Sequence, residues 1–223
     1  RPPLPVAMLA LARKGPMHRL FYADGSPYAR IVRIAVAELG LGDRIATAET
    51  ALRDPASSLL PHNPVGRVPS LVLEDGTVLT ETTLILPWLD RVSGRPPLLP
   101  MDGTDGWRIL AAYGRVTGML DGIAVWNREL RRPEHERSPG VIALETVRAN
   151  RVADALEAEV AGGAHAGDGV DAARIALACA LGYCERRHTA WRWRDGRAVL
   201  SAWFDGFAAR PACQATIPPP SGI

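Results

Sequence analysis

The chain has 223 residues, 26 of them basic and 24 acidic, and a formal net charge of +2 excludes a broadly phosphate-coating protein. A chain this long buries close to three quarters of its unfolded surface and needs no disulfide staples. Its three cysteines, Cys179, Cys184 and Cys213, stand in no metal-ligand spacing, so no metal is expected and a reducing, cytoplasmic compartment is. The longest nearly unbroken apolar run, Ile175 to Cys184, falls far short of the ~20 residues of a membrane span, so no membrane partner is expected.

Residues 1–16 set Pro2, Pro3 and Pro5 against a short apolar stretch, Val6 to Ala12, followed by Arg13 and Lys14 where a leader needs small residues; a disordered or helical extension is expected. A single lysine among 26 basic residues reads as the codon bias of a GC-rich, bacterial genome. From residue 17 to 94 the pattern alternates. Leu20 to Tyr22 predicts a strand, Tyr28 to Leu39 an amphipathic helix, Arg44 to Thr47 a second strand and Pro55 to Leu60 a short helix. Leu71 to Leu73 and Val78-Leu79, joined by Glu74-Asp75-Gly76, predict a hairpin, and Thr82 to Val92 the next helix. Residues 95–106, rich in proline and glycine, read as a linker. Beyond it, 107–210 carries only helical spacing: Ile109 to Leu130, Val141 to Val160, Ala172 to about Arg187 and Val199 to Ala209. Residues 211–223 predict a loosely packed tail.

Three segments carry chemistry. Ser26-Pro27 opens the first helix directly after a strand, with serine as the cap and proline at the first helical position. Free N–H groups and about half a positive charge make such a helix start an anion site. A thiolate placed there is stabilised, yet the chain has no cysteine there, so any thiolate must come from a ligand. In Asn63-Pro64-Val65-Gly66-Arg67-Val68-Pro69-Ser70, Val68 is extended before proline. A cis Val68-Pro69 bond turns the Val68 N–H and C=O outward to pair with an extended peptide. Thr80-Glu81-Thr82 begins the third helix, and Thr80 is its expected cap. An amide and hydroxyl of Thr82 for a carboxylate, beside the Glu81 carboxylate for an ammonium, recognise a zwitterion.

Together these segments resemble the glutathione transferase family from about Met17 to Pro219. The proline loop of that family, Asn-Pro-x-Gly-Lys-Val-Pro, is similar to Asn63 to Pro69 with Arg67 for lysine; its Glu-Ser pair resembles Glu81-Thr82; its bacterial serine-bearing pattern resembles Ser26-Pro27-Tyr28-Ala29-Arg30. Val170-Asp171-Ala172-Ala173-Arg174-Ile175 resembles the family's capped buried helix, with Arg174 where an acidic residue is common. The resemblance implies an α/β N-terminal thioredoxin-like domain (17–94) that binds glutathione, and an all-α C-terminal domain (107–210) that walls the electrophile. It implies a homodimer and glutathione as co-substrate. It further implies glutathione contacts from Ser26, Arg67, Val68, Pro69, Glu81 and Thr82, with Ser26 activating the thiol and Tyr22 its rival, for attack on a small apolar electrophile in detoxification. Ser26-Pro27-Tyr28-Ala29 is also similar to a glutaredoxin Cys-Pro-Tyr-Cys site without its thiols, which predicts poor thioltransfer. The alternative is a non-catalytic glutathione- or protein-binding member of the same fold with a stress or regulatory role.

Other signals read as structural. The run Arg186 to Arg194 with Trp191 and Trp193 predicts a tryptophan-packed loop rather than a nucleic-acid surface. Trp107, Tyr113 and Trp126 predict core over pocket, and His62 a solvated loop residue.

Overall fold

A computed structural model describes residues 17–221; the extension expected at 1–16 lies outside the described residues. Strand β1 (His18–Tyr22) pairs in parallel with β2 (Ile45–Glu49) and antiparallel with β3 (Ser70–Val72), and β3 carries β4 (Val78–Thr80) in the order β2-β1-β3-β4. Helix α1 (Pro27–Glu38) connects β1 to β2 and buries Ile31, Val32, Ile34 and Ala35 completely against the sheet side and α5. Each of the Ile and Val side chains contributes roughly 1.5–3 kcal/mol. This is the expected thioredoxin-like sheet with one difference. The short helix expected over Pro55 to Leu60 is absent, because residues 51–67 run through successive turns. There the Asp54 and Ser57 side chains accept the amides of Ala56 (2.8 Å) and Leu59 (3.4 Å), offering the backbone an alternative to a helical ladder.

After α2 (Thr82–Ser93) the chain is helical: α3 (Gly103–Leu130), α4 (Pro139–Ala161), α5 (Ala172–Arg186), α6 (Ala198–Ala208) and α7 (Pro211–Gln214). Helix α3 starts at Gly103, inside the segment read as linker. The stretch before it is pinned by Asp90, whose carboxylate accepts the amides of Leu98 (2.8 Å) and Leu99 (2.9 Å). Helix α5 is buried along nearly its whole length, flanked by α1, α3 and α6. Asp171 caps it, accepting the Arg174 amide at 2.8 Å. Arg174 does not close a capping box; its guanidinium ties down the preceding loop through the carbonyls of Gly169 and Ala166.

The tail is a second correction. Residues from Pro211 form α7, with Ala212, Cys213 and Thr216 buried, and are not loosely packed. The cause lies far away in sequence. Arg30, on the inner face of α1 and 6 % exposed, donates to the Cys213 carbonyl (3.1 Å) and the Thr216 hydroxyl (3.4 Å), so a buried cation finds its acceptors in the tail. The Trp-Arg run is packed by its tryptophans. Trp191 and Trp193 are buried, and Arg194 is bound by the carboxylates of Glu185 and Asp205.

Candidate functional site

Register decides what meets. Phe21 faces Ser70 across the β1–β3 ladder, and Ser70 faces Thr80 across β3–β4. The residues that follow Phe21, precede Ser70 and follow Thr80 therefore leave the sheet at one end. These are the Ser26 turn, the Val68-Pro69 loop and Glu81-Thr82. With strands about 4.8 Å apart, the outer two segments are separated by roughly 10 Å, which is the length of three extended residues.

At the first segment, Ser26 is the N-cap of α1: its Oγ accepts the Ala29 amide at 3.2 Å, Pro27 occupies the first helical position, and the Ser26 amide donates to the Ala23 carbonyl at 2.8 Å. An oxygen that accepts from Ala29 keeps its own proton for a second partner. Tyr22, the rival hydroxyl, has its ring covered by the Arg33 guanidinium at 4.1 Å from the centroid, and Arg33 in turn binds Asp24 at 2.8 Å.

The second segment is built by Asn63, a residue quoted in the motif but not singled out. Its buried side chain donates to the Arg67 carbonyl (3.2 Å) and the Ser70 hydroxyl (2.9 Å) and accepts the Val65 amide (3.1 Å), while the Ser70 hydroxyl donates to the Arg67 carbonyl at 2.8 Å. The Val68-Pro69 bond is cis. Neither the N–H nor the C=O of Val68 has a partner among the described residues. Arg67 is exposed, Pro69 buried.

The third segment departs from the sequence reading at the cap. Thr80 belongs to β4, and the N-cap of α2 is Glu81, whose side chain makes no capping bond. Glu81 stands at φ 68° and is exposed, in a backbone region that costs a non-glycine residue about 1–3 kcal/mol. The turn that delivers the chain from β4 into α2 imposes it. Thr82 is buried and its hydroxyl donates to the Tyr28 carbonyl at 3.3 Å. That proton is therefore engaged within the protein, and the Thr82 amide, an unpaired donor of the first helical turn, is what faces outward.

The helical half approaches the same helix start. The Tyr28 hydroxyl, on the first turn of α1, donates to the Asp121 carboxylate on α3, and burial together with that bond pushes the phenol well above its ordinary pKa. Nothing in the sequence pattern paired these two residues; only the packing of α3 against the N-terminal unit did. Of the aromatic candidates, Tyr113 is buried with its phenol pushed up to about 12 by burial, and Trp126 packs edge-on against His188 at 4.4 Å. Both are core. Trp107 is 61 % exposed. His62 is exposed with its ring 5.3 Å from that of Phe21. A cavity of about 510 Å³ lies elsewhere, between α3, the end of α4 and the start of α5, and none of the three segments lines it. Cys179, Cys184 and Cys213 are all buried, and burial raises each thiol, Cys179 to about 12, so none supplies a thiolate near neutral pH. Among the described residues no three His, Cys, Asp or Glu side chains form a metal-holding group.

A family model described as "Glutathione S-transferase, N-terminal domain" matches residues 25–92, which include all three segments. The uncharacterized GST-like protein YibF of Escherichia coli K12 is 28 % identical over 194 residues, spanning 87 % of this chain and 95 % of that protein. A glutathione transferase family member from Pseudomonas fluorescens Pf-5, solved with bound glutathione, is 33 % identical with a TM-score of 0.83, covering 91 % of this chain and 99 % of its own. A structure of a Pseudomonas fluorescens Pf-5 family member with bound S-(propanoic acid)-glutathione is likewise 33 % identical with a TM-score of 0.80, covering 90 % and 99 %. The shared sequence, the whole-length match and the thioredoxin-like sheet followed by helices agree, and the chain belongs to the glutathione transferase family.

Proposed function

We propose that the protein is a glutathione S-transferase that binds glutathione across the end of the sheet and activates its thiol for attack on a small electrophile. The supporting observation is the Phe21–Ser70–Thr80 register, which sets a helix start, an unpaired peptide edge and an acid-amide pair along about 10 Å, the reach of a tripeptide. In this reading the Val68 N–H and C=O pair with the cysteinyl main chain of glutathione, as an added strand pairs with a sheet edge. Pro69 shapes that edge. The Thr82 amide takes the carboxylate of the γ-glutamyl end, Glu81 its ammonium, and Arg67 the carboxylate at the other end. The sulfur then rests over the start of α1. The Ser26 hydroxyl donates its unspent proton toward it, and the helix dipole favours the anion. The thiol proton goes to solvent and the thiolate attacks the electrophile. The relatives crystallised with glutathione and with its S-propanoic acid derivative support the ligand assigned here.

On this reading residues 17–94 form the glutathione-binding domain, 107–210 supply the wall that receives the electrophile, and the protein works as a cytoplasmic homodimer in detoxification. Among the described residues no helix is long and apolar enough to cross a membrane. The test is calorimetry with glutathione followed by turnover of 1-chloro-2,4-dinitrobenzene. Micromolar to low-millimolar binding with conjugation supports the proposal. Binding without turnover across a broad electrophile panel identifies a non-catalytic binding protein, and no uptake at millimolar glutathione overturns the ligand itself.

A further inference from the structure

One cation beside the proposed thiol position forms no ion pair among the described residues. Arg187 follows α5, where its amide donates to the Tyr183 carbonyl at 2.7 Å, and its guanidinium reaches across to the β1–α1 turn. A methyl group placed on Gly25 stands 2.6 Å from Arg187 Nη2 and 2.8 Å from its Cζ. The guanidinium therefore lies within about 4 Å of the Gly25 Cα, and within about 8 Å of that of Ser26, consecutive Cα atoms being 3.8 Å apart. Gly25 allows this approach because it has no side chain. Nη1 donates to the Pro219 carbonyl at 3.3 Å, whereas the buried Nε has no hydrogen-bond partner among the described residues.

Three carboxylates of the described residues in this part of the fold have partners other than Arg187. Asp24 is bound to Arg33, Asp121 accepts from Tyr28, and Glu185 is held by Arg194. Arg128 on α3, near enough to Tyr28 to act on its phenol electrostatically, is a second guanidinium for which no ion pair forms among the described residues. Arg187 thus stands beside the start of α1 with no ion pair among the described residues. A partly buried guanidinium with unused donors is built to take a planar anion through two parallel hydrogen bonds.

We infer that Arg187 is the specificity determinant for the second substrate and selects electrophiles that carry a carboxylate a few bonds from the reacting carbon. The inference rests on the thiol-activating role proposed for the Ser26 helix start. The carboxylate binds Arg187, which sets the reacting carbon against the sulfur. For an aryl chloride the thiolate attacks the chlorine-bearing carbon, the C–S bond forms, chloride leaves with the C–Cl bonding pair, and the thiol proton has gone to solvent. No redox change occurs.

The experiment compares 4-chloro-3,5-dinitrobenzoate with its neutral methyl ester at saturating glutathione, in the unaltered protein and in Arg187→Gln, Arg187→Lys and Arg187→Met. After subtraction of the uncatalysed rates, the protein is expected to prefer the acid. The acid-to-ester ratio of kcat/KM falls about tenfold or more in Arg187→Gln, chiefly through the KM of the acid, and Arg187→Lys restores part of it. Melting temperatures identify any variant that fails to fold, and the Met variant, which keeps the apolar stem, then carries the comparison. If neither aryl chloride turns over, calorimetry with S-carboxymethyl- and S-ethylglutathione decides: a preference for the acid that is lost in the variant supports the role. Equal use of acid and ester, or a ratio unchanged by the substitution, overturns it while leaving glutathione transfer intact. Absence of glutathione binding strikes the parent reading instead.

Discussion

Ser26→Ala separates two roles of one oxygen. In the folded protein Oγ caps α1 by accepting the Ala29 amide at 3.2 Å, and removing such a cap costs about 1 kcal/mol. In a protein of this size that lowers Tm by roughly 2–4 °C. The second role, donation to the glutathione sulfur, appears only with ligand bound. A hydrogen bond to a charged acceptor is worth about 1.5–3 kcal/mol, so its loss lowers kcat/KM by roughly 10- to 150-fold. Because the lost bond favoured the anion, the thiol pKa in the complex rises by about 1–2 units. The assay is a pH series of kcat/KM with 1-chloro-2,4-dinitrobenzene, beside glutathione calorimetry and ultraviolet detection of the bound thiolate. The expected result is a rate loss with the alkaline inflection moved upward, and glutathione affinity at pH 5, where the thiol is protonated in both proteins, changed by less than threefold. If Ser26→Ala melts a few degrees lower yet keeps its rate and pH profile, the hydroxyl is a cap and nothing more. Tyr22→Phe, run in parallel, is expected to leave the inflection in place because the Tyr22 ring lies beneath Arg33.

Three further outcomes are expected. Asn63→Ala removes three hydrogen bonds, one buried and two partly buried, and leaves the Arg67 carbonyl with Ser70 alone; it should cost about 2–4 kcal/mol in urea unfolding and weaken glutathione at least tenfold by calorimetry, and a change confined to stability refutes the positioning of Val68 by Asn63. Glu81→Gly relieves the φ of 68° and should raise stability by up to about 1 kcal/mol while weakening glutathione, so affinity retained alongside the gain refutes the ammonium contact. His188, fully buried against Trp126 with no hydrogen-bond partner on either ring nitrogen among the described residues, has its pKa lowered from 6.5 to about 4, by burial first and by Arg131 second. The unfolded chain then binds the proton more readily than the folded one. Stability is full above about pH 6.5 and falls as the pH drops toward 4, by roughly 3 kcal/mol in all, and His188→Leu should flatten that part of the unfolding profile.

Most of the elements, and the three segments of the proposed site, could be read from the chain alone. Short apolar runs with a turn signal placed the strands and 3.6-residue spacing the long helices, and Ser26-Pro27, Asn63 to Pro69 and Glu81-Thr82 were legible because caps, X-Pro pairs and helix starts are local chemistry within a few residues. Local chemistry failed where side chains competed for the backbone. The turns around Asp54 and Ser57 replaced the short helix; the Glu81 cap has a different cause, since pairing holds Thr80 in β4 and moves the helix start one residue on. Tertiary structure alone decided the rest, since those contacts join positions that no window of sequence contains. Arg30 orders the tail 183 residues away, Tyr28 finds Asp121 across 93 residues, and Arg187 comes to rest on Gly25. A buried charge or phenol must find partners wherever packing brings them, so periodicity shows that such a group is buried, and only the folded chain shows what satisfies it.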